Sequence, residues 1–271
     1  MIQKLSDILV VSDVDNTLLT SQEGIPSCNV ETIRLFTSLG GKFALATGRS
    51  IQSLRKYEKR IAMSAPAILY NGGVLYDFEE EQVLCYCALP QNEALRALQE
   101  ILYRFPQVGA EIMADNQRTY VVASNEYTFQ HKSRENQVCF YADAESVPGE
   151  WYKILFACDA ALRKHVQEFI QGRYPKLNFT ASSEQFLEMI PQGISKGVAL
   201  KKLCRLVDVP LENTFAIGDY DNDLELLKTA GHAVAVGNAT PVIKENADIL
   251  TGSCQDGGVA QFLYELIRQY T

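Results

Sequence analysis

The chain has 271 residues, 47% of them hydrophobic and 21% charged, with a formal net charge of -8. That length supports a packed core in one large α/β domain or in two smaller ones, and the apolar fraction excludes a disordered chain. The acidic balance argues against a nucleic-acid-binding face, which is ordinarily basic, while small anionic ligands remain open because a bound cation reverses the field locally.

No apolar run reaches the roughly 20 residues of a membrane span, and the N-terminus lacks the basic-then-apolar pattern of a secretory leader. The seven cysteines are scattered without a C-x-x-C pair. They read as small core thiols rather than as a disulfide framework or a zinc site, and the expected address is a reducing cytoplasm.

The first element is the most informative. Ile8–Val11 has the length and β-branched content of a buried strand, and it runs into Asp13 and Asp15. Side chains two apart in a strand share a side, so two carboxylates are brought to one small volume. They repel unless a cation or a shared proton holds them together. Cys28–Leu39 then carries apolar residues at helical spacing and stops at Gly40-Gly41, in the manner of a helix C-cap. Lys42–Ala46 is a second short strand ending at Thr47-Gly48-Arg49, and Ser50 caps a helix to about Ile61. Pro66–Tyr70 is a third strand, closed by the turn signal Asn71-Gly72-Gly73. Val74–Asp77 and Gln82–Ala88 look like the arms of a hairpin.

From about Leu89 the rhythm changes. An amphipathic helix over Gln91–Phe105 precedes strands near Val108–Ala114 and Thr119–Ala123. A poorly patterned stretch spans Glu126–Gly149. A strand at Trp151–Cys158, a helix at Ala160–Tyr174 and strands near Asn178–Ala181 and Phe186–Ile190 follow. Adjacent strand pairs between helices predict a small antiparallel α+β unit. After Pro191 the alternation returns: a helix from Ser195-Lys196 to Val207, a strand at Thr214–Ile217 ending at Gly218-Asp219, and a helix from Asp221 to Thr229. Ala233–Val236 is the next strand, ending at Gly237-Asn238, before helices at Thr240–Asn246 and Gly258–Tyr270. The simplest assembly is a doubly wound, Rossmann-like parallel sheet made from residues 1–84 and 190–271, with residues 85–189 inserted.

Open parallel sheets bind ligands beyond the carboxyl ends of their strands. Here those ends carry Asp13, Asp15, Thr47, Asn71 and Asp219, and Lys196 opens a helix on the same rim. A lone aspartate after a strand is ordinarily a turn or a cap, but polar groups at four such ends suit a phosphoryl group with a divalent cation. Other motifs fail on inspection. Neither Asp13-x-Asp15 nor Asp219-x-Asp221-x-Asp223 continues as a calcium loop, since Leu18 and Leu224 stand where Gly is required. Gly41-Lys42 has Phe36 where a P-loop needs Gly, no dinucleotide fingerprint or G-x-S-x-G elbow occurs, and His131, His165 and His232 are dispersed.

The surviving residues resemble the four motifs of the haloacid dehalogenase (HAD) superfamily, most closely its Cof-like phosphatases. Asp13-Val-Asp15-Asn-Thr17-Leu18 is similar to the first motif, Thr47-Gly48-Arg49 to the second, Lys196 to the third, and Gly218-Asp219-Tyr-Asp221-Asn222-Asp223 to the fourth. Asn16 departs from the family's usual Gly, and Asn tolerates unusual backbone angles. The resemblance implies that the insert is the larger α+β cap of this family. It implies an aspartyl-phosphate mechanism with Asp13 as nucleophile and Asp15 as general acid and base. Mg²⁺ would be held by Asp13, the Asp15 carbonyl, Asp219 and Asp223. Thr47, Gly48, Asn71, Lys196 and Asn222 would bind the substrate, with Thr47 and Lys196 also catalytic.

The expected function is hydrolysis of small phosphorylated metabolites, such as sugar phosphates, by a monomer or small homo-oligomer without nucleic-acid or membrane partners. A phosphomutase using the same motifs and a non-catalytic module of the same fold are the alternatives. Arg118, Tyr120, His131, Lys132 and Trp151 are conceivable cap contacts.

Overall fold

The computed structural model describes residues 2–20, 24–115, 117–135 and 137–271. It divides into two compact units. The first comprises residues 1–48, 55–85 and 195–271, and the second residues 49–54 and 86–194.

The first unit is an α/β layer structure. Its early elements are β1 (Leu9–Ser12), α1 (Ser27–Ser38), β2 (Lys42–Leu45), α2 (Ile51–Glu58, which begins in the second unit), β3 (Ala67–Leu69), β4 (Val74–Asp77) and β5 (Gln82–Tyr86). The second unit carries α3 (Gln91–Arg104), β6 (Gly109–Ala114), β7 (Thr119–Ala123), α4 (Glu126–Glu135), β8 (Cys139–Tyr141), β9 (Trp151–Ala157), α5 (Ala160–Ile170), β10 (Leu177–Ala181) and β11 (Phe186–Pro191). The chain then returns to the first unit with α6 (Lys196–Leu206), β12 (Thr214–Gly218), α7 (Leu224–Thr229), β13 (His232–Ala235), α8 (Pro241–Glu245), β14 (Ile249–Leu250) and α9 (Gly258–Tyr270).

The main sheet of the first unit has the order β14-β13-β12-β1-β2 with all pairings parallel. β1 lies inside the sheet, between β12 and β2, and is wholly buried, which is why its sequence is an apolar run instead of an alternating one. Leu9 pairs with Thr214 on one side and Lys42 on the other, so the sheet joins the two sequence-distant segments. Strand order reverses at β1, the place where such sheets bind ligands. α1 packs against α9, and α6 against α7.

Three details differ from the sequence expectations or go beyond them. The third strand, β3, lies in a separate three-stranded sheet of order β3-β4-β5 and pairs antiparallel with β4. It meets the end of β2 through a parallel bridge between Ala46 and Ile68. The segment from Asp221 opens as a short 3-10 turn, Asp221–Asp223, before α7 begins. β14 was not anticipated, because two exposed residues on a sheet edge carry no readable period.

In the second unit a six-stranded sheet runs β10-β11-β9-β6-β7-β8, antiparallel except for the β7–β8 pair. α3 and α5 pack on one face through Leu98, Ile101, Val166 and Ile170, against Ile112, Ile154, Phe156 and Met189. The poorly patterned stretch contains α4 and β8. α4 buries only Thr128 and Glu135, and β8 is an exposed edge strand, so neither has an apolar stripe to read. Within this unit Trp151 and Tyr120 belong to the core, and His131 Nδ1 lies 2.8 Å from the buried Glu111 carboxylate. Arg118 and Lys132 stack over Phe140 and Tyr141 respectively. Among the described residues no helix is long and apolar enough to cross a membrane.

Candidate active site

The first unit gathers its polar groups where β1, β2, β3 and β12 end. The Asp13 amide donates to the Ile217 carbonyl at 2.9 Å, extending the β1–β12 pairing by one residue and fixing where the Asp13 carboxylate emerges. The chain then turns back on itself. Asn16 takes a left-handed conformation with φ 58°, which Asn adopts more readily than most side chains, and its amide donates to Leu19 O at 2.9 Å.

Lys196 is the first residue of α6, behind the cap Ser195, whose Oγ accepts from the Val198 amide at 3.2 Å. The lysine is wholly buried, and its Nζ donates to Asp13 Oδ1 and to Asp223 Oδ1, each at 2.6 Å. Burial alone would lower this ammonium's pKa, but Asp13 and Asp223 outweigh it and hold the group above its ordinary range. Asp223 is anchored from the other side, where its Oδ2 accepts from the amides of Asp219 at 3.0 Å and Tyr220 at 3.3 Å. Gly218 permits this tight turn: a Cβ there would sit 2.6 Å from that of Asp223.

Asp13, Asp219 and Asp223 each offer a carboxylate oxygen within 4.8 Å of the others. One buried ammonium faces these three acids, so two negative charges stay uncompensated when all are ionised. Burial, then the neighbouring Asp223, pushes the Asp13 carboxyl well above the usual carboxylate range. The same two causes raise Asp219 to about 7, against the hydrogen bond from Thr17 Oγ1 at 2.8 Å. Buried, clustered oxygen donors with excess negative charge fit a small hard divalent cation. The nearby Cys254 does not join them, since burial pushes its thiol up to about 12 and keeps it protonated. Asp15, half-buried, is not one of the clustered carboxylates.

Thr47 ends the β2 side. Its amide donates to Ile68 O at 2.8 Å, and its carbonyl accepts from the Asn71 amide at 3.0 Å. Gly48 follows it in the same unit. Asn71 is left-handed, with φ 54°, and its Oδ1 accepts from Asn222 Nδ2 at 3.1 Å. Asn71 and Asn222 are therefore brought to one another by two different loops. Gly72 beside them, at φ 101°, passes so close to the start of α6 that a Cβ would lie 2.2 Å from the Ser195 carbonyl. The candidate residues Asp13, Lys196, Asp219, Asp223, Asn71 and Asn222 are thus linked in one hydrogen-bonded neighbourhood.

Two participants went unassigned in the sequence reading. Thr17 lies inside the first motif, yet only the fold reveals that its hydroxyl holds Asp219. Asn238 stood out as a turn signal after β13, and its side chain reaches the loop after β1, donating to Asn16 O at 2.8 Å. Its place in Gly237-Asn238-Ala239, a turn at a strand end that shares in the resemblance to the family, is the clue the sequence offers.

Comparisons with known proteins place this fold in a family. The family model of the haloacid dehalogenase-like hydrolases matches residues 10–263. The chain is 26% identical over 265 residues to the pyridoxal phosphate phosphatase YbhA of Escherichia coli (strain K12), covering 94% of this chain and 97% of that one. It is 26% identical over 273 residues to the 5-amino-6-(5-phospho-D-ribitylamino)uracil phosphatase YitU of Bacillus subtilis (strain 168), covering 95% and 96%. A haloacid dehalogenase-like hydrolase from Bacteroides thetaiotaomicron superposes with a TM-score of 0.85 at 28% identity, covering 96% of this chain and 99% of that one. With motif order, sheet topology and a match across nearly the whole chain in agreement, the protein belongs to the haloacid dehalogenase-like hydrolases, in their Cof-like branch.

Proposed function

We propose that the protein is a Mg²⁺-dependent phosphatase that hydrolyses small phosphorylated metabolites, sugar phosphates or related monoesters, through an aspartyl-phosphate at Asp13. The observation that carries this reading is the buried Lys196 ammonium set between Asp13 and Asp223 at 2.6 Å from each. An ammonium there pairs with the nucleophile before the reaction and with transferred phosphoryl oxygens during it.

In the first step an Asp13 carboxylate oxygen attacks phosphorus and the bond to the ester oxygen breaks. Asp15 gives its proton to that oxygen, so the alcohol departs neutral. In the second step a water attacks the aspartyl-phosphate, Asp15 takes the water's proton, and Asp13 is regenerated as inorganic phosphate leaves. General acid–base help of this kind contributes roughly 10²–10⁴ in rate. Thr47 and Lys196 hold the phosphoryl oxygens, and the amide face at Gly48 and the Asn71–Asn222 pair border them. Asp13, Asp219 and the Asp15 carbonyl would hold the Mg²⁺, with Asp223 orienting the Asp219 loop through its backbone contacts. Bound there, the cation supplies charge neutralisation between nucleophile and phosphate. The insert acts as the cap that admits substrate and excludes water.

The test is phosphate release with Mg²⁺ from a panel of sugar phosphates, pyridoxal phosphate and phosphorylated ribityl compounds. The expected result is free phosphate from at least one monoester, abolished in Asp13→Asn. An isomerised sugar phosphate without release would make the protein a mutase, and undiminished hydrolysis by the Asp13→Asn variant would exclude the covalent route.

A further inference from the structure

Asn238 sits in the turn after β13, and in the strand order β12 separates β13 from β1. Two strand spacings, about 10 Å, lie between those strands. The Asn238 side chain nevertheless joins their loops. Its Nδ2 donates to Asn16 O at 2.8 Å, while its Oδ1 accepts from the Cys254 amide at 2.7 Å. Those two partners settle the amide's orientation, because a carbonyl needs a donor and an amide N–H needs an acceptor. The turn bearing Asn238 is itself pinned. The Gly237 amide donates to Gly252 O at 3.0 Å, and the Thr240 amide donates to Asp219 O at 2.9 Å. The brace therefore starts from a fixed frame.

What it braces is the Asn16–Thr17 peptide, whose carbonyl belongs to the residue after Asp15. Asn16 holds a left-handed conformation that its own amide secures through Leu19 O, and Asn238 secures the carbonyl of the same residue. With its amide held by Leu19 O and its carbonyl by Asn238, Asn16 is fixed on both sides, and the Asp15 backbone that leads into it is held with it. We infer that Asn238 is a positioning residue for the general acid, holding Asp15 where it can give its proton to the departing ester oxygen as the phosphorus–oxygen bond breaks. This inference rests on the phosphatase reading above. Aspartate at position 238 could not serve equally, since a carboxylate accepts from Cys254 but has no proton to donate to Asn16.

Leaving-group dependence tests it. A p-nitrophenolate departs without protonation, whereas the alkoxide of an alkyl phosphate needs an acid. Wild type, Asp15→Asn, Asn238→Ala and Asn238→Asp are compared with Mg²⁺ on p-nitrophenyl phosphate and on an alkyl phosphate such as glycerol phosphate or a sugar phosphate. In single-turnover measurements of ester cleavage, which read the first step alone, both Asn238 variants are expected to lose roughly tenfold in rate on the alkyl ester, short of the 10²–10⁴ that loss of the acid itself entails, and less than about threefold on p-nitrophenyl phosphate. The second step, where Asp15 takes the water's proton, is common to both esters. The Asp variant keeps the Cys254 anchor, so its folding is preserved while the donor to Asn16 is removed.

Equal losses on both esters, or an Asn238→Asp variant that matches wild type, would overturn the assignment. If Asp15→Asn shows the leaving-group dependence and Asn238→Ala does not, the inference fails alone. If Asp15→Asn shows none, or wild type hydrolyses no ester, the phosphatase reading and the inference fall together.

Discussion

Lys196 Nζ and Asp13 Oδ1 lie 2.6 Å apart at a site where the lysine has no exposure to solvent. A charge-assisted contact that short, in surroundings that screen poorly, is strong only while both partners are present. The pair ties the end of β1 to the start of α6 and couples the folding of the site to its chemistry.

Replacing Lys196 with Met is therefore expected to do two separable things. It should lower kcat by about 10²–10³, the usual effect of losing one donor to developing negative charge. It should also destabilise the metal-free protein by about 3–5 kcal/mol, because removing one member of a buried pair leaves the other uncompensated. Steady-state kinetics and urea unfolding measure the two effects. Arg in place of Lys should not restore activity, since its larger planar head group does not fit a site shaped around an ammonium.

Asp219 supplies a pH dependence with a definite sign. Its carboxyl is raised to about 7 in the folded protein, by burial first and Asp223 second, whereas the unfolded chain titrates near 3.9. Between those values the folded state binds more protons, so stability is highest below about pH 4 as far as this group is concerned and falls as pH rises through 7. Metal-free protein should thus have a lower Tm at pH 8 than at pH 6, and Asp219→Asn should flatten that difference. Added Mg²⁺ should raise Tm more at pH 8 than at pH 6, because below 7 it competes with protons for the same oxygen. Thermal scans of both proteins at the two pH values, with and without Mg²⁺, check all three statements.

Gly72 carries a backbone angle of 101° and no room for a Cβ, which would stand 2.2 Å from the Ser195 carbonyl. Gly72→Ala combines left-handed strain with a backbone clash and is expected to cost about 2–4 kcal/mol. The displacement falls at the start of α6, so kcat should drop along with the unfolding midpoint. Gly172→Ala has similar backbone strain at φ 73° but meets nothing within 4 Å. It should lose about 1–2 kcal/mol and leave kcat unchanged. Measuring both variants separates the contact from the strain.

The α/β fold was legible wherever burial was complete. β1 read as a strand because both its faces are covered, and the helices with one apolar stripe, such as α3 and α9, were readable from spacing. α4 and β8 escaped because they are polar or exposed. The candidate site was legible as a set of chemically suited residues at strand ends, but the bonds among them were not. Spacing alone leaves Asp13 and Asp15 equivalent, the resemblance gives them different expected roles, and only the fold puts Asp13 against Lys196. Thr17 and Asn238 hold partners more than two hundred residues away. Such pairings leave no local pattern, because they depend on which strands become neighbours.

The order of β1 and β12 in the sheet has a consequence for the protein's birth. β1 leaves the ribosome first, yet its partner on one side is β12, and 183 positions separate Asp13 from the lysine that faces it. The inserted unit can complete its own sheet while β1 waits with one edge uncovered, a state prone to association with other chains. The clustered carboxylates and their lysine therefore come together only once α6 and β12 have been made, so on the proposed mechanism a growing polypeptide that lacks them is inert.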